Sequence, residues 1–184
     1  GERGDTMTAT MTRRGAFAVA GGLLVSVSAP KAQDAPLPGA LKTAPFLDAW
    51  IRVGPDGAVT AFSGKSELGQ GLRTALVQLV AEELDVPLSR IVLVTSDTDR
   101  TPNEGYTSGS LSMKDSATAI QHAAVQTRRL LLEAAAREFG STVTDLSVRD
   151  GVVSGKNGKS VGYGPLAAKI SAHVKAEPID TPKT

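Results

Sequence analysis

An α+β fold, a mixed β-sheet layer with packed helices in the order β-β-α-β-α-β-β-α, follows from three features of the sequence. Short alternating or β-branched runs are closed by Pro-Asp-Gly and Asp-Gly turns, two stretches repeat apolar residues with helical period, and the two kinds of segment interleave. At 184 residues, 41% hydrophobic and 21% charged, the chain can bury one core and does not have a disordered composition.

Each element has its own reason. Residues 47–53 alternate, with Ala49, Ile51 and Val53 on one face, and Gly54-Pro55-Asp56-Gly57 turns the chain into a partner strand at 58–62. Leu72, Ala75, Leu76, Leu79, Val80 and Glu83 fall at helical spacing and predict a helix over 71–84, ended by Asp85-Val86-Pro87. Ile91-Val92-Leu93-Val94 is expected as a short strand buried on both faces. A polar loop at 96–112 leads into the longest helix, 113–139, whose apolar line runs Ile120, Ala124, Thr127, Leu131 and Ala135 before Gly140 stops it. Residues 146–148 and 152–153 make a second hairpin around Arg149-Asp150-Gly151, and 163–172 reads as a closing helix. No internal repeat is visible.

The flanking segments read differently. The chain does not begin with Met, and the expected start is Met7 or Met11. Thr12-Arg13-Arg14-Gly15-Ala16-Phe17 precedes an apolar run at 16–27, shorter than the roughly 20 residues that span a bilayer. A paired arginine before such a run predicts a twin-arginine export signal over 1–29, hence a periplasmic protein. Phe17 lies one residue later than the pattern places it, and Pro30 directly follows the small residues Val27-Ser28-Ala29, so an uncleaved, membrane-tethered leader is the alternative. Residues 30–45, with four prolines, read as an extended linker, 46–172 as the folded domain and 173–184 as a linker tail.

Composition removes several function classes. Removing 1–29 leaves equal numbers of basic and acidic residues, so no net field draws in nucleic acid. The chain has no cysteine, which excludes disulfides and cysteine-held iron–sulfur clusters within it. His122 and His173 lack partner ligands at metal spacing and read as ordinary helix residues. Glu67 and Glu82-Glu83 have no paired acid and read as solvated helix charges, as does Arg128-Arg129.

Two loops each deliver the chain to a helix start. They are Gly64-Lys65-Ser66-Glu67-Leu68-Gly69-Gln70-Gly71 and Thr107-Ser108-Gly109-Ser110-Leu111-Ser112. Helix starts carry unpaired N–H groups and partial positive charge, which suits acceptor-rich or anionic ligands. Glycines 69 and 71 admit close backbone approach, and Gln70 offers a donor and an acceptor. The same residues also fit plain capping, with Ser112 and Asp115 as a capping-box variant. Gly-Gln-Gly does not satisfy the dinucleotide fingerprint, nor Gly64-Lys65-Ser66 the P-loop.

The first motif, with Thr74-Ala75-Leu76 and Ala81-Glu82-Glu83-Leu84-Asp85-Val86, resembles the molybdopterin-binding large subunits of the xanthine oxidase family. The stretch looks like the nicotinate dehydrogenase and isoquinoline 1-oxidoreductase branch of that family. Asp97-Thr98, Thr101-Pro102-Asn103-Glu104-Gly105-Tyr106-Thr107-Ser108-Gly109-Ser110, Ser112, Arg128-Arg129, Asp150-Gly151-Val152-Val153 and Tyr163-Gly164 extend the resemblance over about 46–169.

The resemblance implies molybdopterin, in its cytosine dinucleotide form, with molybdenum. It assigns Leu68, Gly69 and Gln70 to the pterin near the metal, and Thr107, Ser108, Gly109, Ser110, Leu111 and Ser112 to its pterin or nucleotide part. Leu68 stands where many relatives have Met, and Ala117 where the family has Gly. The implied reaction is hydroxylation of an N-heterocycle or aldehyde with water as oxygen source. The implied partners are the remainder of the large subunit, an iron–sulfur small subunit and a c-type cytochrome acceptor. The family's catalytic glutamate and its other glycine-rich loop match nothing here, so a truncated frame or a split large chain is expected, with no catalytic residue in this chain.

The competing expectation is a non-enzymatic exported module that binds an anion or a partner protein through the same loops. The export signal is testable by itself. Changing Arg13 and Arg14 to Lys is expected to retain the protein in the cytoplasm, and unchanged periplasmic delivery in cell fractionation would refute the signal.

Overall fold

The computed structural model describes residues 35–108, 110–178 and 182–183, so the expected export signal at 1–29 lies outside the described residues. Strands β1 (Ile51–Val53) and β2 (Val59–Ser63) form the first expected hairpin, with Ile51 opposite Ala61 and Val53 opposite Val59, but the first half of the strand expected at 47–53 is a 3-10 turn, Leu47–Ala49, that buries Leu47. The chain then passes through helix α1 (Leu72–Leu84) to β3 (Ile91–Thr95). β3 pairs with β2 in parallel, from Val59 opposite Ile91 to Ser63 opposite Thr95. Parallel neighbours cannot be joined by a tight turn, and α1 is the crossover that spans them. A second sheet is antiparallel throughout: β4 (Leu146–Arg149), β5 (Val152–Gly155) and β6 (Ser160–Gly162).

Helix α2 (Thr118–Phe139) runs through the core, and the predicted line Ile120, Ala124, Thr127, Leu131 and Ala135 is buried along its whole length. Enclosing Leu131 alone contributes roughly 1.5–3 kcal/mol, and the alanines of the same face let α1 approach closely. Two buried aromatic side chains find backbone partners for their polar atoms. The Trp50 indole donates to the Ala44 carbonyl at 2.8 Å, and the Tyr163 hydroxyl donates to the Leu84 carbonyl at 2.9 Å. Burial holds the Tyr163 phenol well above its ordinary range.

The α+β class holds, and several details differ from expectation. The strands divide between two three-stranded sheets, and β6 adds a strand too short to show a period. β3 is not buried on both faces: it is an edge strand, and Val92 is 58% exposed. The closing helix, α3 (Tyr163–Ala167), stops short of residue 172. The residues beyond it are claimed by extended pairing, since Leu47 and Asp48 donate to the carbonyls of Val174 and Ala172, and Ala176 donates to Pro45. The expected tail therefore packs back, with Ala176 buried and Gln126 bonded both ways to the Glu177 backbone at 2.7 and 2.8 Å. The end of the expected linker also folds: Gly39–Lys42 is a 3-10 turn that buries Ala40 and Leu41. Their apolar side chains outweigh the preference of the surrounding prolines for extended backbone.

Gly164 is where α3 meets the first hairpin. A Cβ there would collide with the Pro55 carbonyl and lie 2.8 Å from the Gly57 nitrogen, both of them backbone. Gly164→Ala is expected to destabilise the protein by about 1–3 kcal/mol, read from denaturant unfolding; an unchanged midpoint would refute this packing.

Candidate functional site

Because Ser63 lies opposite Thr95, β2 and β3 end at one edge of their sheet. The loop at 64–71 leaves β2 for the start of α1, and the loop at 96–111 leaves β3 for a π-helical segment, Ser112–Ala117, that opens into α2. Ligands of α/β units bind at such carboxyl ends of parallel strands. The two sequence-nominated loops are thus brought together.

Side chains join them. Lys65 is only 1% exposed, and its ammonium donates to the carbonyls of Glu104 at 2.7 Å and Tyr106 at 2.9 Å. Glu104 Oε2 accepts in return from the Gly64 N–H at 2.6 Å and the Ser63 hydroxyl at 3.0 Å. The Ser66 N–H donates to the Thr107 hydroxyl at 2.7 Å, while the Ser63 and Ser116 hydroxyls lie 2.8 Å apart. A Cβ on Gly64 would collide with the Pro102 carbonyl, so the loops meet at backbone distance. Sequence reasoning does not nominate Lys65 or Glu104. The one available signal is a lysine among small loop residues, and its partners lie about forty positions away.

The nominated residues of the first loop are exposed. Leu68 is 76% exposed, and Gly69 and Gly71 adopt left-handed φ of 95° and 80° with no atom within 4 Å of a Cβ position. Only glycine takes these angles without strain, and the backbone there faces open space. Gln70 is exposed but not idle: its Nε2 donates to the Ser66 carbonyl at 2.8 Å, and its Oε1 accepts from the Leu68 N–H. Glu67 is not a solvated helix charge. Its carboxylate accepts from the N–H groups of Gly69 at 2.8 Å, Gly71 at 3.0 Å and Arg73 at 2.9 Å, and so caps α1. Those bonds, the Arg73 amide foremost, hold its carboxyl below the usual range although partial desolvation opposes them.

In the second loop, Ser108 and Ser110 are exposed, and their carbonyls accept from Leu111 and Lys114 at 3.1 and 2.8 Å. Leu111 is 37% exposed, and Ser112 is buried within the π-helical segment instead of acting as a cap. Gly109 lies outside the described residues. A cavity of about 410 Å³ adjoins the loops, lined by Gly64, Ser96, Thr98, Asn103 and Glu104. A shallower depression of about 570 Å³ gathers Glu82, Asp85 and Val86 at the far end of α1 and is no part of this site.

Other charged residues are structural. Glu83 is buried and accepts from Gln121 at 2.9 Å. Arg128 pairs with Asp85 at 3.0 Å and Arg129 with Glu177 at 2.9 Å, so this face of α2 is covered by the end of α1 and the returning tail. His173 lies outside any helix, stacked on Phe46 at 4.1 Å between ring centroids and 3.1 Å from Asp48.

The cap gives the first loop a pH dependence. A folded-state pKa below the unfolded value stabilises above the ordinary carboxylate range, and the effect is lost as pH falls through the folded pKa. Glu67→Gln is expected to lower hydrogen-exchange protection at 69–73 at neutral pH, with the difference vanishing on acidification. Equal protection at neutral pH would refute the cap.

Comparison with known proteins identifies the family. Residues 8–182 match the family model described as molybdopterin cofactor-binding domain. The nicotinate dehydrogenase chain of Pseudomonas putida that this sequence matches is 41% identical over 120 residues, covering 65% of this chain and 10% of that protein. The beta chain of isoquinoline 1-oxidoreductase from Brevundimonas diminuta is 31% identical over 177 residues, covering 89% of this chain and 22% of that one. The crystal structure of Cu,Mo-CO dehydrogenase in its carbon monoxide reduced state superposes with a TM-score of 0.56 at 29% identity, covering 63% of this chain and 15% of that one. The chain thus spans about a fifth or less of these proteins' lengths. With a family match over nearly its whole length and both loops at one sheet edge, this chain belongs to the molybdopterin cofactor-binding domain family.

Proposed function

We propose that the chain is the cofactor-holding part of an exported molybdenum hydroxylase that oxidises an N-heterocyclic or aldehyde substrate. The observation that carries this reading is the junction of the two loops at the carboxyl ends of β2 and β3. When bound, molybdopterin with molybdenum supplies the two-electron oxidation of the substrate C–H with water as oxygen source.

The chain's own residues bind and orient. Gly69 and Gly71 leave the backbone open to a planar group, and Gln70 presents its amide beside them. The hydroxyls of Thr107, Ser108 and Ser110 provide donors on the second loop. Glu67 divides the work between the loops. Its carboxylate already occupies the α1 start, which therefore favours a hydrogen-bonding pterin edge over a phosphate. The anionic part of the cofactor, a cytosine dinucleotide in this reading, then belongs at the serine-rich loop. The same carboxylate weighs against a simple anion-binding module.

Electrons leave through an iron–sulfur partner, since the chain has no cysteine to hold a cluster, and onward to a c-type cytochrome. The remainder of the large subunit supplies the catalytic glutamate. Delivery of a folded, loaded protein to the periplasm by the twin-arginine route fits this chemistry.

The test is the metal and pterin content of the purified complex, with Gln70→Ala alongside. Wild type is expected to carry both. Loss of a hydrogen bond to the pterin edge, roughly 0.5–1.5 kcal/mol, corresponds to about a twofold to tenfold loss of cofactor affinity. A complex that hydroxylates substrate with neither molybdenum nor pterin would overturn the reading. Full occupancy and activity in Gln70→Ala at unchanged melting temperature would remove Gln70 from the site.

A further inference from the structure

We propose that Lys65, with Glu104 returning the contact, is the positioning residue of the site: it sets the register between the loop at 64–71 and the segment at 104–108. What the loops hold rests on the cofactor reading above; the clasp itself does not.

Among the described residues, these two segments share no backbone hydrogen bond. Their relative placement therefore falls to side chains. A buried ammonium is tolerated only where acceptors replace its water, and Lys65 finds two in the carbonyls of Glu104 and Tyr106. Those carbonyls flank Gly105, whose φ of 64° curls the chain so that both point at one nitrogen. One donor group thus fixes the curvature of the second loop as well as its distance from the first. Glu104 completes the exchange by accepting from the Gly64 N–H, directly beside Lys65. Each loop's side chain satisfies the other's backbone, as in a capping box spread over two loops.

Immediately beyond the clasp, the Ser66 N–H meets the Thr107 hydroxyl, and the next residues on either side are Glu67 and Ser108. A shift at Lys65 is therefore transmitted to the start of the Gly69–Gly71 turn and to the serine-rich loop together. A lysine that merely stabilised the core would affect α2 equally.

The experiment uses the purified full complex with Lys65→Met, Lys65→Arg and, should Lys65→Met fail to assemble, Glu104→Gln. Hydrogen exchange is read over 64–71, 104–108 and 118–139, and pterin content is measured beside it. Lys65→Met, or Glu104→Gln in its place, is expected to raise exchange at least tenfold in the first two segments and leave 118–139 unchanged. Pterin content is expected to fall tenfold or more in Lys65→Met, with Lys65→Arg restoring most of both because a guanidinium can still donate to two carbonyls. Unchanged exchange in the two loops, or an equal rise throughout 118–139, would overturn the proposal. A wild-type complex without pterin would instead overturn the cofactor reading, while the exchange measurement still decides the clasp.

Discussion

The parallel pairing of β2 with β3 is the constraint on which the rest of this molecule depends. It demands a crossover, so α1 must exist and must start at the edge where β2 ends. It also makes the two strands finish together, with Ser63 beside Thr95. Two loops separated in sequence by residues 72–95 then leave the sheet side by side. Had these strands paired antiparallel, the loops would have emerged at opposite edges, and no residue of one could have reached the other.

Bringing polar loops together has an energetic cost that the local chemistry offsets. Backbone groups at a sheet edge lose water when a second loop covers them, and each unpaired one costs of order 1–3 kcal/mol. Here Lys65, Glu104 and Thr107 supply partners from the opposing loop. The helix start beside them is treated the same way, with one carboxylate serving three amides. The arrangement leaves its outer side, Leu68 to Gly71, with little contact of its own, and Tyr106 is 84% exposed at the same end. Rigidity lies behind and access in front, the division a binding loop requires.

The long helix α2 ties this edge to the rest. Its π-helical opening turns Ser116 toward Ser63, and the approach of Gly39 to the Asp115 carbonyl wedges residues 39–42 against the same turn. Farther along, Arg128 and Gln126 receive the end of α1 and the returning chain near Glu177. The same helix therefore contacts both the loop end and the returning chain.

Elements whose cause is local were legible in the amino-acid sequence. The Pro-Asp-Gly and Asp-Gly turns, the helical spacing of Leu72 to Glu83 and the line from Ile120 to Ala135 need only neighbours to act. The α+β class, both hairpins and the two main helices could accordingly be read in advance, and the two motifs identified the family. Whatever depends on groups distant in sequence waited for the fold. Val92 faces solvent because it shares the outer sheet face with Arg52 and Thr60, residues 172–176 extend because 45–48 offer them a partner, and Leu41 is buried because α2 covers it. At the site, Glu67 reads from sequence as a surface charge and Lys65 as an ordinary loop residue. Lys65 takes its role from two carbonyls that come within hydrogen-bond reach only after β2 and β3 have paired, whereas Glu67 caps amides two to six residues ahead of it, a local contact that the helical spacing does not encode. Local periodicity carries no trace of such partners, because hydrogen bonds are satisfied in space and not along the chain.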